Sequence, residues 1–83
     1  MSKKEKIVKR LLSRPADFSF AELTRLLGLL GYSLSEAGKT SGSRVIFIKG
    51  DDYIRLHKPH PGNILKRYQV DDIIAALKER GMA

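Results

Sequence analysis

No cysteine occurs among the 83 residues of this chain. A disulfide framework, a thiolate zinc site and a cysteine nucleophile are therefore excluded together. The chain also lacks a long apolar run: nothing approaches the roughly 20 residues that a helix needs to cross a bilayer. Its charged start, MSKKEKIVKR, has no apolar segment of the kind found in signal peptides. The simplest expectation is a cytoplasmic protein that does not enter a membrane.

Acidic residues are scarce compared with basic ones. Sixteen Lys and Arg residues stand against nine Asp and Glu residues, which gives a formal net charge of +7. This balance favours an anionic partner such as nucleic acid, a membrane surface or an acidic protein. A basic soluble protein without such a partner is the alternative. The length predicts one domain over residues 1–83, which buries only about 60–65% of its unfolded surface.

Two amphipathic helices are predicted in the first part of the chain. Each begins with the spacing of a capping box, in which a serine precedes a glutamate by three residues. The two pairs are Ser2 with Glu5 and Ser19 with Glu22. Apolar residues then recur at helical spacing, which predicts helices over Ser2–Ser13 and Phe20–Leu30. Residues 1–15 are interpreted as a helical N-terminal extension.

Three strands and a closing helix are predicted to follow. Alternating or apolar runs indicate strands over Tyr32–Ala37, Arg44–Ile48 and Tyr53–His57, with a tight hairpin turn between the last two. Apolar spacing over Val70–Leu77 marks the last helix, and Asp71 and Asp72 are expected near its positive end. The predicted order is α-α-β-β-β-α, an α+β fold in which the helices pack on one face of a three-stranded antiparallel sheet.

The hairpin register predicts which side chains share a face of the sheet. If Gly50 and Asp51 form the turn, Arg44 lies directly opposite His57, and directly opposed residues share a face. A slip of one residue would bury Arg55, which favours this register. The predicted helix-facing side chains are Val45, Phe47, Ile54 and Leu56. The predicted open face carries Arg44, Ile46, Ile48, Tyr53, Arg55 and His57.

The only two histidines, His57 and His60, lie in a cationic segment. Imidazole titrates near neutral pH, so both are candidate proton donors and acceptors, although loop histidines that solvate a basic patch are the alternative. We predict no metal site, because neither a cysteine nor a third histidine accompanies the pair.

Other residues around the histidines suit the binding of RNA. Lys58, Lys66 and Arg67 could hold phosphates, and Tyr53 could stack on an unpaired base. The polar Gly-Ser run that includes Ser43 could form a backbone nest for a phosphate. A charged loop with a surface tyrosine is the plainer interpretation.

These segments resemble the HicA-type toxins of bacterial toxin–antitoxin pairs. The resemblance extends from about Phe20 to the C-terminus. It rests on Leu30-Gly31-Tyr32 at the end of a helix, on Gly42-Ser43 before a strand, and on Pro59-His60-Pro61 followed by Leu65 and a final helix ending in Gly81. It implies a core over residues 19–83 with a fold similar to double-stranded RNA-binding domains. It also implies RNA cleavage without a cofactor and a HicB-like antitoxin as the protein partner.

The chain departs from this family at one position. The family motif reads Gly-Ser-His at the start of the second strand, and that histidine is taken as catalytic, whereas Arg44 stands here. Because the register places His57 beside Arg44, we expect the His57 imidazole to occupy nearly the same place from the neighbouring strand. The resemblance and the register together give His57, His60 and Arg44 as catalytic candidates. The RNA-binding candidates are Arg55, Lys58, Lys66, Arg67, Tyr53 and Ser43.

Two functions from different classes fit these residues. The first is a metal-independent endoribonuclease that cuts mRNA, an mRNA interferase restrained by its antitoxin. The second is a non-catalytic RNA-binding module that uses the same basic sheet face. A protein-interaction domain with no role in nucleic-acid binding stays open as a third.

Overall fold

The computed structural model describes residues 2–36, 44–59 and 62–83. Its elements are α1 (Lys3–Leu12), α2 (Phe20–Leu29), β1 (Ser33–Glu36), β2 (Arg44–Lys49), β3 (Asp52–His57) and α3 (Arg67–Glu79). The predicted order and the α+β class are confirmed. Ala37, the predicted end of the first strand, lies outside the described residues.

Both predicted capping serines begin their helices. The Ser2 hydroxyl accepts a hydrogen bond from the Glu5 backbone N–H at 3.2 Å. At the start of α2, the Glu22 N–H donates to the Ser19 hydroxyl at 3.0 Å, and the Glu22 carboxylate accepts from the Ser19 N–H at 3.2 Å. These two bonds form the reciprocal capping box that the sequence predicts.

Gly31 ends the second helix and turns the chain into the sheet. Its φ of +100° lies in the left-handed region, which glycine adopts without steric cost. The Tyr32 N–H then donates back to the Leu27 carbonyl at 2.8 Å. This bond joins residues five positions apart, as in a Schellman-type helix end. β1 therefore starts beside the end of α2.

The three strands form one antiparallel sheet in the order β1-β2-β3. The β2–β3 register is the predicted one: Lys49 pairs with Asp52 at the turn, and Arg44 pairs with His57 at the other end. Gly50 has a φ of +60°, the left-handed conformation that a two-residue hairpin turn of type II′ requires at its first position. The predicted distribution of side chains between the two faces follows from this register.

The helices cover the apolar face of the hairpin. Val45 and Phe47 are each 1% exposed, Ile54 is 5% exposed and Leu56 is half-buried. The centroid of the Phe47 ring lies 6.1 Å from that of Phe20 in α2. Helix residues buried in the same core are Leu11, Leu23, Leu26, Leu27, Val70, Ile73 and Leu77. Burial of this apolar surface is the main force that holds the helices against the sheet.

The first helix packs into this core, and side chains of the helix and of the residues just after it bond to both other helices. Leu11 is fully buried. The Arg10 guanidinium donates to Glu22 of α2 at 2.7 Å, and the Arg14 guanidinium donates to Asp71 of α3 at 2.7 and 3.0 Å. Residues of the predicted N-terminal extension thus contribute to the packing of the whole domain.

The segment that precedes α3 is anchored beside the start of α2. The Phe20 N–H donates to the Asn63 carbonyl at 2.7 Å, and the Leu65 N–H donates to the Phe18 carbonyl at 2.8 Å. Leu65 and Phe18 are both buried. These contacts fix the position from which α3 begins.

The third helix begins earlier than the sequence suggested. It starts at Arg67, so Asp71 and Asp72 lie in its second turn, and its first turn contains no acidic residue. The expectation that these two aspartates lie near the positive end of the helix was therefore wrong. The start is capped instead by the Gln69 side chain, whose Oε1 accepts from the Lys66 N–H at 3.0 Å. The first turn of α3 is therefore capped by an amide.

Candidate functional site

Arg44 and His57 face each other at the end of the β2–β3 ladder away from the turn. They are direct Cα partners, and both are exposed. Together with Arg55 and Leu56 they line a depression of about 270 Å³. We call this depression the arginine–histidine site. It contains one imidazole and two guanidinium groups, and guanidinium groups bind phosphate through paired, charge-assisted hydrogen bonds.

Tyr53 and Arg55 extend the site along β3 towards the turn. The Arg55 guanidinium carbon lies 5.6 Å from the centroid of the Tyr53 ring, within the range of a cation–π contact. Tyr53 is 46% exposed, so part of its ring is open to solvent. An exposed aromatic ring beside an arginine suits an unstacked base with its neighbouring phosphate.

Gln69 holds the backbone of His57 in place. Its Nε2 donates to the His57 carbonyl at 2.8 Å, while its Oε1 caps the start of α3. The residue is 5% exposed, and it is the buried polar side chain of the described core. Gln69 is not among the residues predicted from the sequence. Its spacing could have indicated its capping role, because Gln69 follows the N-cap residue Lys66 by three positions.

The structure does not bring every predicted binding residue to the arginine–histidine site. The Lys58 ammonium lies 5.9 Å from the centroid of the Phe20 ring, on the helix side of the sheet. Lys66 and Arg67 are exposed at the start of α3, which the Gln69 bond ties to the end of β3. Ser43 and His60 lie outside the described residues. The residues that the fold does bring together are Arg44, Tyr53, Arg55 and His57.

A second polar cluster, which was not predicted from the sequence, occupies the turn end of β3. The Arg80 guanidinium donates to both carboxylate oxygens of Asp52, at 2.7 and 2.8 Å, and to the Ala76 carbonyl at 2.8 Å. The Tyr32 hydroxyl donates to the same carboxylate. Mainly through the bonds from Arg80, and then that from Tyr32, the pKa of Asp52 falls to about 2. Burial and the contact with Asp52 raise the pKa of Tyr32.

Two further findings concern metal binding and membrane insertion. No three His, Asp or Glu side chains within residues 2–36, 44–59 and 62–83 form a group that could hold a metal ion. Each helix in the described part of the chain is too short or too polar to span a bilayer.

Comparison with known proteins gives one match. A family model described as the HicA toxin of bacterial toxin–antitoxin systems matches residues 20–82, which include every element except α1. No curated protein and no solved structure matches the chain. The likeness to double-stranded RNA-binding domains therefore stays a prediction.

Proposed function

Because the chain belongs to the HicA family of toxins from bacterial toxin–antitoxin systems, we propose that it is a metal-independent endoribonuclease that cuts mRNA in the cytoplasm. The observation that carries the proposal is the pairing of Arg44 with His57 across β2 and β3. Arg44 occupies the position at which the resemblance places the family histidine. An imidazole on the opposing residue of the same face can reach the same substrate atoms from the neighbouring strand.

The nucleophile in this proposal is the 2′-hydroxyl of the RNA itself. One imidazole, assigned to His57, removes the hydroxyl proton as O2′ attacks the adjacent phosphorus. The bond from phosphorus to O5′ then breaks, and a second imidazole, assigned to His60, protonates the departing oxygen. The products are a 2′,3′-cyclic phosphate and a 5′-hydroxyl end. General acid–base catalysis of this kind contributes typically about 10²–10⁴ in rate.

The two arginines of the site have an electrostatic role in the proposal. Arg44 and Arg55 line the depression that holds His57, so both can stabilise the negative charge that develops on the phosphate in the transition state. We assign Tyr53 to stacking on a base. Lys66, Arg67, Lys58 and Ser43 are assigned to contacts with the phosphates of flanking nucleotides. DNA would not be cleaved, because it lacks the 2′-hydroxyl.

A HicB-like antitoxin is the proposed protein partner. Members of the family pair with an antitoxin, and this chain has a net charge of +7 with exposed arginines on the open sheet face. An acidic docking surface on the antitoxin would cover that face and exclude RNA. Complementary charge of this kind makes association fast and sensitive to salt.

The decisive experiment is RNA cleavage in the presence of a chelator. Wild-type, His57→Ala and His60→Ala proteins are incubated with an end-labelled single-stranded RNA in EDTA, and the product ends are identified. We expect 2′,3′-cyclic phosphate ends from the wild type and a loss of about 100-fold or more in His57→Ala, with unchanged circular dichroism. A single 2′-deoxy substitution at the cut nucleotide should block that cut. Full activity of His57→Ala would contradict the assignment.

The non-catalytic RNA-binding module is the second candidate. Arg44 in the family's histidine position favours it, because arginine binds phosphate but does not titrate near neutral pH. This candidate predicts salt-sensitive RNA binding by the wild type and no cleavage under any condition. Cleavage that is lost in His57→Ala while binding is retained would favour the nuclease.

A further inference from the structure

A groove of about 390 Å³ lies between β3 and α3. It adjoins the arginine–histidine site, and the two depressions share Arg55, Leu56 and His57 as a common wall. A nucleotide whose phosphate lies against Arg44 and Arg55 would therefore have a neighbouring group at the mouth of this groove. The volume is near the lower end of the range of about 300–1,000 Å³ seen for small-ligand sites, which suits a single nucleobase.

The walls of the groove combine apolar, aromatic and acidic groups. Ile54 and Ile73 are buried and contribute apolar surface to it. Tyr53 lines the groove from β3 and Tyr68 from α3, with 46% and 60% of each residue exposed. Exposed tyrosine rings on an apolar cleft provide stacking surfaces for a planar base.

Two carboxylates, Asp72 and Glu79, also line the groove. In a chain of net charge +7 they make this groove different from the arginine–histidine site beside it. Carboxylates repel a phosphate, but they accept hydrogen bonds from the amino groups of cytosine, adenine and guanine. Uracil has a carbonyl oxygen where cytosine has an amino group, so it fits these acceptors less well.

Side chains of α3 and of Arg80, the residue that follows it, fix both ends of the groove. Gln69 bonds to the His57 carbonyl at one end, and Arg80 bonds to Asp52 at the other. The width between β3 and α3 is thus set by hydrogen bonds before any ligand arrives. A site that is formed in advance loses less conformational entropy when it binds.

We propose that this groove is a base-recognition site, which holds the nucleobase next to the cleaved phosphate and selects cytosine, adenine or guanine over uracil. The inference rests on the proposed function, because the base is placed by the phosphate at the arginine–histidine site. Asp72 and Glu79 determine the selectivity, and Tyr68 stacks on the base.

Binding of short oligonucleotides tests the proposal without requiring cleavage. The probes are uridine hexamers in which one central base is varied among the four and every 2′-hydroxyl is methylated, so that the RNA cannot be cut. We expect the wild type to bind at least one amino-bearing base about fivefold or more tightly than uridine. Asp72→Asn and Glu79→Gln should shift that preference towards uridine, because an amide can donate to the uracil carbonyl.

Matched variants isolate the groove from a general loss of negative charge. Asp51→Asn and Glu5→Gln remove the same charges from exposed positions outside the groove and should leave the base preference unchanged. Tyr68→Ala should weaken binding of all four probes, whereas Tyr68→Phe should retain it. The same variants are then assayed for cut-site preference on a mixed RNA that has its 2′-hydroxyls.

The outcomes separate this inference from the proposed function. If the wild type binds none of the probes and cuts no RNA, the proposed function fails and the base site fails with it. If RNA is bound or cut in an Arg44- or His57-dependent way, but the base preference is absent or unchanged in Asp72→Asn and Glu79→Gln, the proposed function stands and the base site is overturned.

Discussion

The two ends of the β2–β3 hairpin use arginine in opposite ways. At the turn end, Arg80 donates two short bonds to the Asp52 carboxylate, and the Tyr32 hydroxyl joins the same cluster. At the other end, Arg44 and Arg55 have no ion pair with a carboxylate in the part of the chain that the structure describes. The turn end neutralises its own charge, whereas the open end presents positive charge to the solvent.

This difference separates cations that maintain the fold from cations that are available to a ligand. Arg10, Arg14 and Arg80 are each paired with a carboxylate on another element of the chain or on a connecting loop. Two neighbouring guanidinium groups do not stabilise one another in the free protein, because like charges repel. Their arrangement becomes favourable when an anion lies between them, which is the reason to place the function at the open end.

Exchange of the two residues at the open end is expected to have the largest effect. His57→Arg alone should lose cleavage by about 100-fold or more, because it removes the imidazole. The double variant Arg44→His/His57→Arg returns an imidazole to β2 and keeps the guanidinium opposite, so it should recover a large part of the activity. The measurement is the initial rate on a labelled RNA.

Equal melting temperatures among these variants would show that the changes act on the chemistry. The two side chains are exposed, so melting should shift little. If the double variant is as inactive as His57→Arg, the idea that both positions serve the same substrate atoms is wrong.

Gln69 connects the fold to the open end, so its substitution should have an intermediate effect. Gln69→Glu keeps an acceptor for the Lys66 N–H but replaces the donor to the His57 carbonyl with a carboxylate oxygen. We expect kcat to fall about tenfold in this variant while RNA affinity changes little, because His57 would be displaced without losing its imidazole. Gln69→Leu should lose both bonds and also lower the melting temperature.

A lower kcat in Gln69→Glu, with RNA affinity little changed, would identify Gln69 as a residue that positions His57. If Gln69→Glu has wild-type kcat and only Gln69→Leu is impaired, Gln69 serves the start of α3 alone. The comparison requires saturating RNA, so that kcat is measured apart from KM.

The hairpin could be predicted from the sequence because its constraints are local. Gly50-Asp51 sets a two-residue turn, and the alternation of apolar and polar residues then allows one register that keeps Arg55 exposed. The placement of Arg44 opposite His57 follows from that register alone. The two capping serines were predictable for the same reason, since each bonds to a residue only three positions away.

The contacts that the sequence did not reveal join residues far apart in the chain. Arg80 and Asp52 are separated by 28 positions, and Gln69 and His57 by 12. No local pattern encodes such pairs, because they depend on how α3 lies against β3. The start of α3 was predicted too late for a related reason. Its regularly spaced apolar positions begin at Val70, whereas its first turn is capped by the amide of Gln69 and carries no apolar stripe.

At the turn end, removal of Arg80 should alter stability and leave the chemistry intact. Arg80→Ala loses the two bonds to Asp52 and leaves a half-buried carboxylate without its main partner. We expect the melting temperature to fall by a few degrees and kcat for RNA cleavage per folded molecule to stay unchanged, while the base preference weakens because Arg80 fixes one end of the groove. Lys78→Ala is the matched control, because it removes one positive charge from an exposed position near the same end of α3.

A fall in cleavage in Arg80→Ala at a temperature where the variant is fully folded would contradict the division between the two ends. It would indicate that the turn end also shapes the arginine–histidine site.

The smallest expected effect is the acid dependence of the same cluster. The pKa of Asp52 is about 2 in the folded protein, against an ordinary value of 3.8, mainly because Arg80 stabilises its charged form. A lowered folded-state pKa means that its contribution to stability is fully present above about pH 4 and is lost as the pH falls from there to about 2. Asp52→Asn does not titrate, so the difference in melting temperature between wild type and Asp52→Asn should be constant from pH 7 to 5 and should shrink between pH 4 and 2.

Asp51→Asn, at the exposed neighbouring turn position, controls for the loss of one charge. A difference that stays constant down to pH 2 would mean that Arg80 does not stabilise the Asp52 carboxylate, and the turn end would then differ less from the open end than the geometry indicates.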